Sequence, residues 1–183
     1  LKTKHALMKN VLLSLFALAL TLGLSAQKFS TKTGEVSFFS DAALEDIEAV
    51  NHQTLAALDL DKGNIAFVVQ VRSFEFEKAL MQEHFNENYM HSDKFPKATF
   101  EGSVLNPEAA RKDGTHEIKL KGKLTIHGET KEIAVPATLV RKGNELTIQC
   151  RFTIKLAEFG IKNDKVDNIA EEIEIKVNTT LKS

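Results

Sequence analysis

Residues 146–156 read LTIQCRFTIKL, with an apolar side chain at every even position and a polar one at every odd position. Side chains alternate between the two faces of a β-strand, so this period of two is typical of a strand that buries one face and exposes the other. The stretch therefore predicts an antiparallel strand with Leu146, Ile148, Phe152 and Ile154 turned towards a core.

The same alternation recurs along the chain, and turn-forming dipeptides such as Asp113-Gly114 and Gly143-Asn144 separate the runs. Earlier strands around residues 35–40 and 47–60 show a broken alternation. A series of about eight short strands predicts an all-β antiparallel domain, either a closed barrel or a sandwich. The regular runs cover residues 65–71, 118–126, 133–139, 146–156 and 173–181.

One segment carries a helical period instead. Met81, Phe85 and Tyr89 lie four residues apart, which places them on one stripe of a helix and predicts a short amphipathic helix over Glu77–Asn88. With the loop that follows it, up to Pro96, this helix would cover one mouth of a barrel. The pattern is compatible both with a movable lid and with a fixed cap.

The first residues resemble a secretion signal. Three lysines accompany an apolar run over residues 11–24, and Ser25-Ala26 offers small side chains for cleavage before Gln27. The run of about fourteen residues is shorter than the roughly twenty that a membrane span needs, although an uncleaved anchor is the alternative. We therefore expect a signal peptide over residues 1–26 and one domain over residues 27–183, in the periplasm or secreted. The absence of a cysteine at the cleavage site argues against a lipoprotein.

Charge and cysteine content restrict the partners and the chemistry. The formal charge is −1, and removal of residues 1–26, with three lysines and no acidic residue, takes it to −4. A mildly acidic chain without a basic cluster is not expected to bind nucleic acid. Cys150 is the single cysteine, which excludes an intrachain disulfide, and its inward strand position predicts an inert buried thiol.

Three motifs carry a family resemblance. Residues 84–102 (HFNENYMHSDKFPKATFEG) run from the amphipathic segment through a proline-marked turn into a strand, and residues 121–131 (KGKLTIHGETK) form a second block. Residues 158–161 (EFGI) are similar to a family segment that has Asp in place of Glu158. Together they resemble the YceI-like family over about residues 29–181. The resemblance implies a lipocalin-like barrel with one short helix that carries polyisoprenoid or other long-chain lipids in the cell envelope.

Whether the inside of the barrel is filled or hollow decides the function. Gly102 and Gly122 fall on inward positions between large apolar side chains, where they either leave room for a ligand or mark bends and bulges of a packed barrel. The resemblance favours the cavity and implies an isoprenoid or fatty chain as its ligand. The expected lipid-contacting residues are Phe67, Val69, Val71, Phe100, Gly102, Gly122, Leu124, Ile126, Phe152 and Ile154.

Other functions find less support in the residues. His84, His91 and Asp93 are too loosely spaced for a metal motif, so we expect no metal and no cofactor. The resemblance implies a hydrogen-bonding role for His84, the first histidine of the block, in orienting the loop, and His127 is expected to serve a turn. A lipid-modifying enzyme would need an inward ionisable pair, which the strand registers lack. The main alternative is a packed barrel that acts in envelope stress or protein interaction without a lipid. A homodimer through an exposed edge strand is also possible.

Overall fold

A computed structural model of the protein describes residues 27–42, 45–162 and 169–183. The predicted signal peptide, residues 1–26, lies outside this part of the chain. One helix, α1 (Ala79–His84), continues into a π-helical turn (Phe85–Tyr89). The strands are β1 (Lys28–Ser40), β2 (Ile47–Asp59), β3 (Asn64–Gln70), β4 (Phe74–Phe76), β5 (Lys97–Leu105), β6 (Gly114–Ile126), β7 (Glu129–Lys142), β8 (Glu145–Lys155) and β9 (Glu172–Lys182).

Eight of these strands form a closed antiparallel barrel. Their order is β1-β9-β8-β7-β6-β5-β3-β2, and β1 also pairs with β2, which closes the sheet on itself. The short β4 pairs with the first part of β2, beyond the point where the pairing of β3 with β2 ends. The prediction of an all-β, lipocalin-like barrel of about eight strands with one short helix is therefore confirmed.

The two ends of the barrel differ in construction. At one end, here called the helix end, lie α1, the hairpin between β6 and β7, and the loop between β8 and β9. The segment between β1 and β2 also reaches this end. At the other, the packed end, lie the connections β2–β3, β5–β6 and β7–β8 together with the start of β1 and the end of β9. Six inward side chains there are at most 1% exposed; they are Leu58, Leu60, Leu139, Leu146, Ile148 and Leu181.

An arginine seals the packed end. The Arg141 guanidinium lies 5.4 Å from the centre of the Phe29 ring and donates hydrogen bonds to the Ala110 carbonyl (3.2 Å) and to Gln27 Oε1 (3.0 Å). The side chain is 14% exposed, so it covers apolar surface with its stem while its charged group is held at the rim.

No helix in the described part of the chain is long and apolar enough to cross a membrane.

The broken alternation of the early strands has a structural cause. The pairing of β1 with β2 shifts register on both sides of Gly34, so that Phe29 faces inward at an odd position and Val36 and Phe38 at even positions. A β-bulge inserts one residue and reverses the side-chain parity beyond it. The irregular stretch is held by Thr179, which is fully buried and donates to the Glu35 carbonyl at 3.1 Å.

Strand β2 contains a matching irregularity at a buried asparagine. Asn51 Nδ2 donates to the Gln70 carbonyl (2.8 Å), while its Oδ1 accepts from the Gln53 N–H (2.8 Å) and the Thr54 hydroxyl (3.2 Å). Asn51 and Thr54 are both 0% exposed although they are three residues apart, so the inward face changes parity between them. A satisfied buried amide can hold such a kink, because its polar atoms would otherwise be costly to bury.

Strands β5 and β6 approach each other closely at a pair of glycines. Gly102 and Gly122 are partners in the antiparallel ladder. A Cβ atom added to Gly122 would lie 2.3 Å from the Glu101 carbonyl oxygen and 2.5 Å from the Gly102 Cα, while one added to Gly102 would lie 2.9 Å from the Phe100 ring. Only glycine at both positions lets the two backbones come this near and the aromatic ring cover them.

This close approach predicts a large cost for Gly122→Ala. We expect the variant to lose about 3 kcal/mol of unfolding free energy, because the new methyl group overlaps the backbone of β5. Chemical denaturation measures the loss. Gly143→Asn is the matched control, since a Cβ atom added there would meet no atom within 4 Å and the φ of +59° is one that asparagine tolerates. Equal stability of both variants would show that the strands separate easily at Gly122.

Candidate functional site: an apolar cavity at the helix end

A cavity of about 370 Å³ occupies the half of the barrel next to α1. Inward side chains from all eight barrel strands form its wall, and nearly all are aliphatic or aromatic. A volume of this size lies within the range of small-molecule binding sites, roughly 300–1,000 Å³. Eight strands give an interior that can hold one small ligand once some side chains leave space. The barrel is thus hollow at one end and packed at the other.

Eight of the ten residues predicted to contact a lipid line this cavity, and whether they bind a lipid remains a prediction. Gly102 and Gly122 do not line it. Their backbones lie in close contact in the barrel wall, and the pairing of β5 with β6 keeps its register through them, so these two positions show neither a bulge nor a lining role. The eight that line the cavity are Phe67, Val69, Val71, Phe100, Leu124, Ile126, Phe152 and Ile154.

The exposure of inward residues shows where the cavity ends. On β8, Leu146 and Ile148 are 0% exposed, whereas Cys150 and Phe152 retain intermediate exposure although they face the same way. Strand β9 repeats the change, from a fully buried Thr179 to a partly exposed Val177. Since these side chains point into the barrel, their residual exposure is to the cavity, and its floor lies at the level of Ile148.

An aromatic cluster attaches α1 to the rim of the barrel. The Phe85 ring stacks on Phe38 with 5.4 Å between centroids and contacts Phe76 at 5.0 Å and Phe74 at 5.6 Å. Such ring pairs add about 0.5–1.5 kcal/mol beyond their burial. The helix begins two residues after the predicted start, and the π-helical turn carries it to Tyr89. As the predicted stripe requires, Met81, Phe85 and Tyr89 all face the cavity.

Polar side chains mark the mouth of the cavity. Glu45, His84 and Tyr89 are among its lining residues. Glu45 and His84 are exposed, which places the opening between α1 and the segment before β2, and Glu45 forms an ion pair with Lys78 across this opening. Sequence reasoning missed Glu45 because it lies outside any periodic segment. These groups can hydrogen-bond a ligand head while its apolar part lies in the cavity.

Two histidines tie the loops of the helix end together. His91 Nδ1 and His127 Nε2 are 2.9 Å apart, and His127 Nδ1 lies 3.2 Å from the Phe159 carbonyl oxygen. A carbonyl can only accept, so His127 donates from Nδ1, and in its neutral form it accepts at Nε2 from the His91 N–H. The relay links the loop after α1, the β6–β7 hairpin and the Glu158-Phe159-Gly160-Ile161 segment. The resemblance had placed that segment near a barrel mouth.

The backbone at both histidines supports a positioning role. His91 has a φ of +43° and His127 a φ of +51°, in the left-handed region that residues other than glycine rarely adopt. The Phe95 ring packs edge-on against His127 at 4.4 Å. The predicted turn at His127-Gly128 is present, and the histidine also makes the cross-loop contacts described above. Among the described residues, no group of three or more His, Cys, Asp or Glu side chains is arranged to hold a metal.

The Cys150 thiol belongs to the cavity wall, between Ala137 on β7 and Val177 on β9. Burial in this apolar wall raises the pKa of Cys150 to about 11, because the thiolate would lose its hydration. The thiol is therefore protonated at neutral pH and a poor nucleophile. This agrees with the inert thiol that its strand position predicts.

Comparison with known proteins identifies the family. The model of the YceI-like domain matches residues 20–181. The chain belongs to the YceI-like domain family. Protein YceI of Shigella flexneri is 28% identical over 111 residues, which make up 57% of this chain and 54% of that protein. The chain thus spans about half the length of the curated relatives it matches.

Solved structures show the same fold at lower identity. A polyisoprenoid binding domain from Saccharophagus degradans, implicated in plant cell wall breakdown, superposes with a TM-score of 0.76 at 12% identity, covering 87% of this chain and 99% of that domain. BcnA of Burkholderia cenocepacia gives 0.68 at 21% identity, covering 80% and 95%. These two structures show that this chain shares their fold.

The histidine relay predicts an energetic coupling between His91 and His127. We expect His91→Asn and His127→Asn each to lower the unfolding free energy and the double variant to lose about 1 kcal/mol less than the sum, since one hydrogen bond is removed only once. Asparagine tolerates the left-handed backbone conformation, so the variants test the side-chain contacts and not backbone strain. Denaturation of the four proteins at neutral pH measures the cycle. Strictly additive losses would show that the rings act independently.

The raised pKa of Cys150 predicts slow, strongly pH-dependent alkylation. The rate with iodoacetamide follows the thiolate fraction, so in the folded protein it should reach half of its limit only near pH 11. In denaturant the same thiol should reach half of its limit near its ordinary pKa of 9.0. Rates measured in both states provide the comparison. A folded-state midpoint near pH 9 would contradict the apolar setting of the thiol.

Proposed function

We propose that this YceI-like protein binds one long apolar chain, an isoprenoid or fatty chain, in its barrel without chemical conversion. The cavity of about 370 Å³ with an almost entirely apolar wall is the observation that carries the proposal. The Saccharophagus degradans relative is described as a polyisoprenoid binding domain, which supports an apolar ligand of this class. A hollow interior counts against the alternative of a solidly packed interaction barrel.

The apolar wall determines the free energy that such binding can gain. Burial of ten methylenes contributes roughly 8 kcal/mol at about 0.8 kcal/mol each. Ordering the ligand and the helix end costs several kcal/mol of that gain. Affinity in the micromolar range, about −8 kcal/mol, therefore needs a longer tail or a head that bonds at the mouth. Glu45, His84 and Tyr89 are placed for such contacts.

Non-catalytic carriage is supported by the chemistry of the interior. The buried polar side chains of the described residues are Ser40, Asn51, Thr54, Ser92 and Thr179, none of which ionises near neutral pH. The cavity thiol is protonated there as well. General acid–base chemistry needs a titratable group within hydrogen-bond reach of the reacting atom. The deep part of the wall offers dispersion contacts instead.

We place this function in the cell envelope, in the periplasm or outside the cell. The support is the secretion-signal pattern of residues 1–26, with its lysines and the apolar run before Ser25-Ala26. A carrier in an aqueous compartment would shield an apolar chain from water between membranes or enzymes. A homodimer remains a further prediction; among the described strands, β4 has a ladder partner, β2, on one side only, and its other edge is the one that such pairing would use.

Native mass spectrometry of the protein purified from its own source tests the proposal. We expect a stoichiometric adduct that denaturation releases and that solvent extraction identifies as a long-chain lipid. Ile133→Trp should reduce lipid occupancy at least tenfold, because Ile133 lines the cavity and the larger ring would fill it. Ala134→Trp is the matched control, since Ala134 is the exposed neighbour on the outer face of β7.

Three outcomes would overturn the proposal. One is a clean apo mass together with no uptake of added isoprenols or fatty acids. Another is equal lipid occupancy in Ile133→Trp and Ala134→Trp, which would place the lipid on the outer surface of the barrel. The third is a lipid recovered in chemically altered form, which would replace the carrier by an enzyme.

A further inference from the structure

The floor of the cavity is a layer of tightly packed aliphatic side chains. Ile148 on β8 and its ladder partner Leu139 on the neighbouring strand β7 are both 0% exposed. On the far side of the barrel, Leu58 of β2 is 1% exposed. One step towards the helix end, Cys150 and Val177 line open space. The change from full packing to open cavity thus occurs within two residues along β8.

The depth above this floor follows from the strands. On β6 the lining residues run from Leu120 to Ile126, six residues along the strand. At about 3.3 Å per residue and a strand tilt of about 40°, this corresponds to roughly 15 Å along the barrel axis. An extended alkyl chain with C–C bonds of about 1.5 Å advances about 1.25 Å per carbon. About twelve carbons therefore span the distance from mouth to floor.

We infer that Ile148 and Leu139 act as a chain-length stop, so that the cavity accepts about twelve carbons of an extended chain and no more in a single pass. The inference rests on the proposed function, since it assumes that an apolar chain occupies the cavity. The polar mouth and apolar floor orient the ligand with its tail inward. Carbons beyond the stop leave the head outside the mouth.

A chain-length series on the mature protein measures the stop. Saturated fatty acids of 8 to 18 carbons are bound in competition with a fluorescent apolar dye, below their micelle concentrations. Each methylene that enters the cavity should tighten binding roughly fourfold. The gain should end near twelve carbons, after which affinity stays level or falls. A gain that continues undiminished to 18 carbons would overturn the inference.

Two variants move the floor in opposite directions. Ile148→Ala removes three carbon atoms from the floor, so the plateau should shift by about two carbons towards longer chains. Cys150→Phe fills open space just above the floor and should shift the plateau towards shorter chains, at least threefold weakening the binding of the twelve-carbon acid. Gln149→Ala, on the exposed outer face between them, should leave the plateau unchanged.

The outcomes separate this inference from the proposed function. If the unaltered protein binds no fatty acid and no isoprenol, the proposed function fails. If it binds them but Ile148→Ala and Cys150→Phe keep its plateau, the floor does not set chain length and only this inference fails. Circular dichroism establishes that each variant is folded. Cys150→Phe adds volume to a void and creates none, so it carries the test even if Ile148→Ala unfolds.

Discussion

The pairing of β1 with β2 is the constraint on which the rest of the structure depends. It closes eight strands into a barrel, so each of them has a ladder partner on both sides and the interior has a fixed width. Closure requires the two strands to curve and shift register, which places Asn51, Thr54 and Thr179 in the interior. Their hydrogen bonds to the backbone and to each other make that burial tolerable.

The interior of a barrel of this width can be filled by side chains or left open. In this barrel one end is filled and the other end is open. The packed end holds buried leucines and isoleucines below a sealing arginine. At the helix end, the wall residues lack partners on their inner side and lose dispersion energy for that reason. An apolar chain would restore those contacts, so binding and stability are coupled.

The sequence predicts the regular strands well because one face of each is buried, and the alternation of β6, β7 and β8 then follows directly. It fails at β1 and β2, where bulges reverse the parity, and at the end of the helix, where a π-helical turn extends the element. The contact between His91 and His127 joins residues 36 apart and leaves no local signal. Eight wall residues could be predicted from parity alone. The cavity could not, because an empty volume depends on how side chains from all eight strands meet.

The direction of the chain at the barrel ends has a practical consequence. Strand β1 starts and β9 finishes at the packed end, where Ser30 pairs with Lys182. Residues 27 and 183 therefore both project from the side opposite the mouth. A fluorescent protein, an affinity tag or an immobilising tether joined at either position would leave the opening unobstructed. The same barrel can thus be fixed to a surface by its base while its cavity faces the solution.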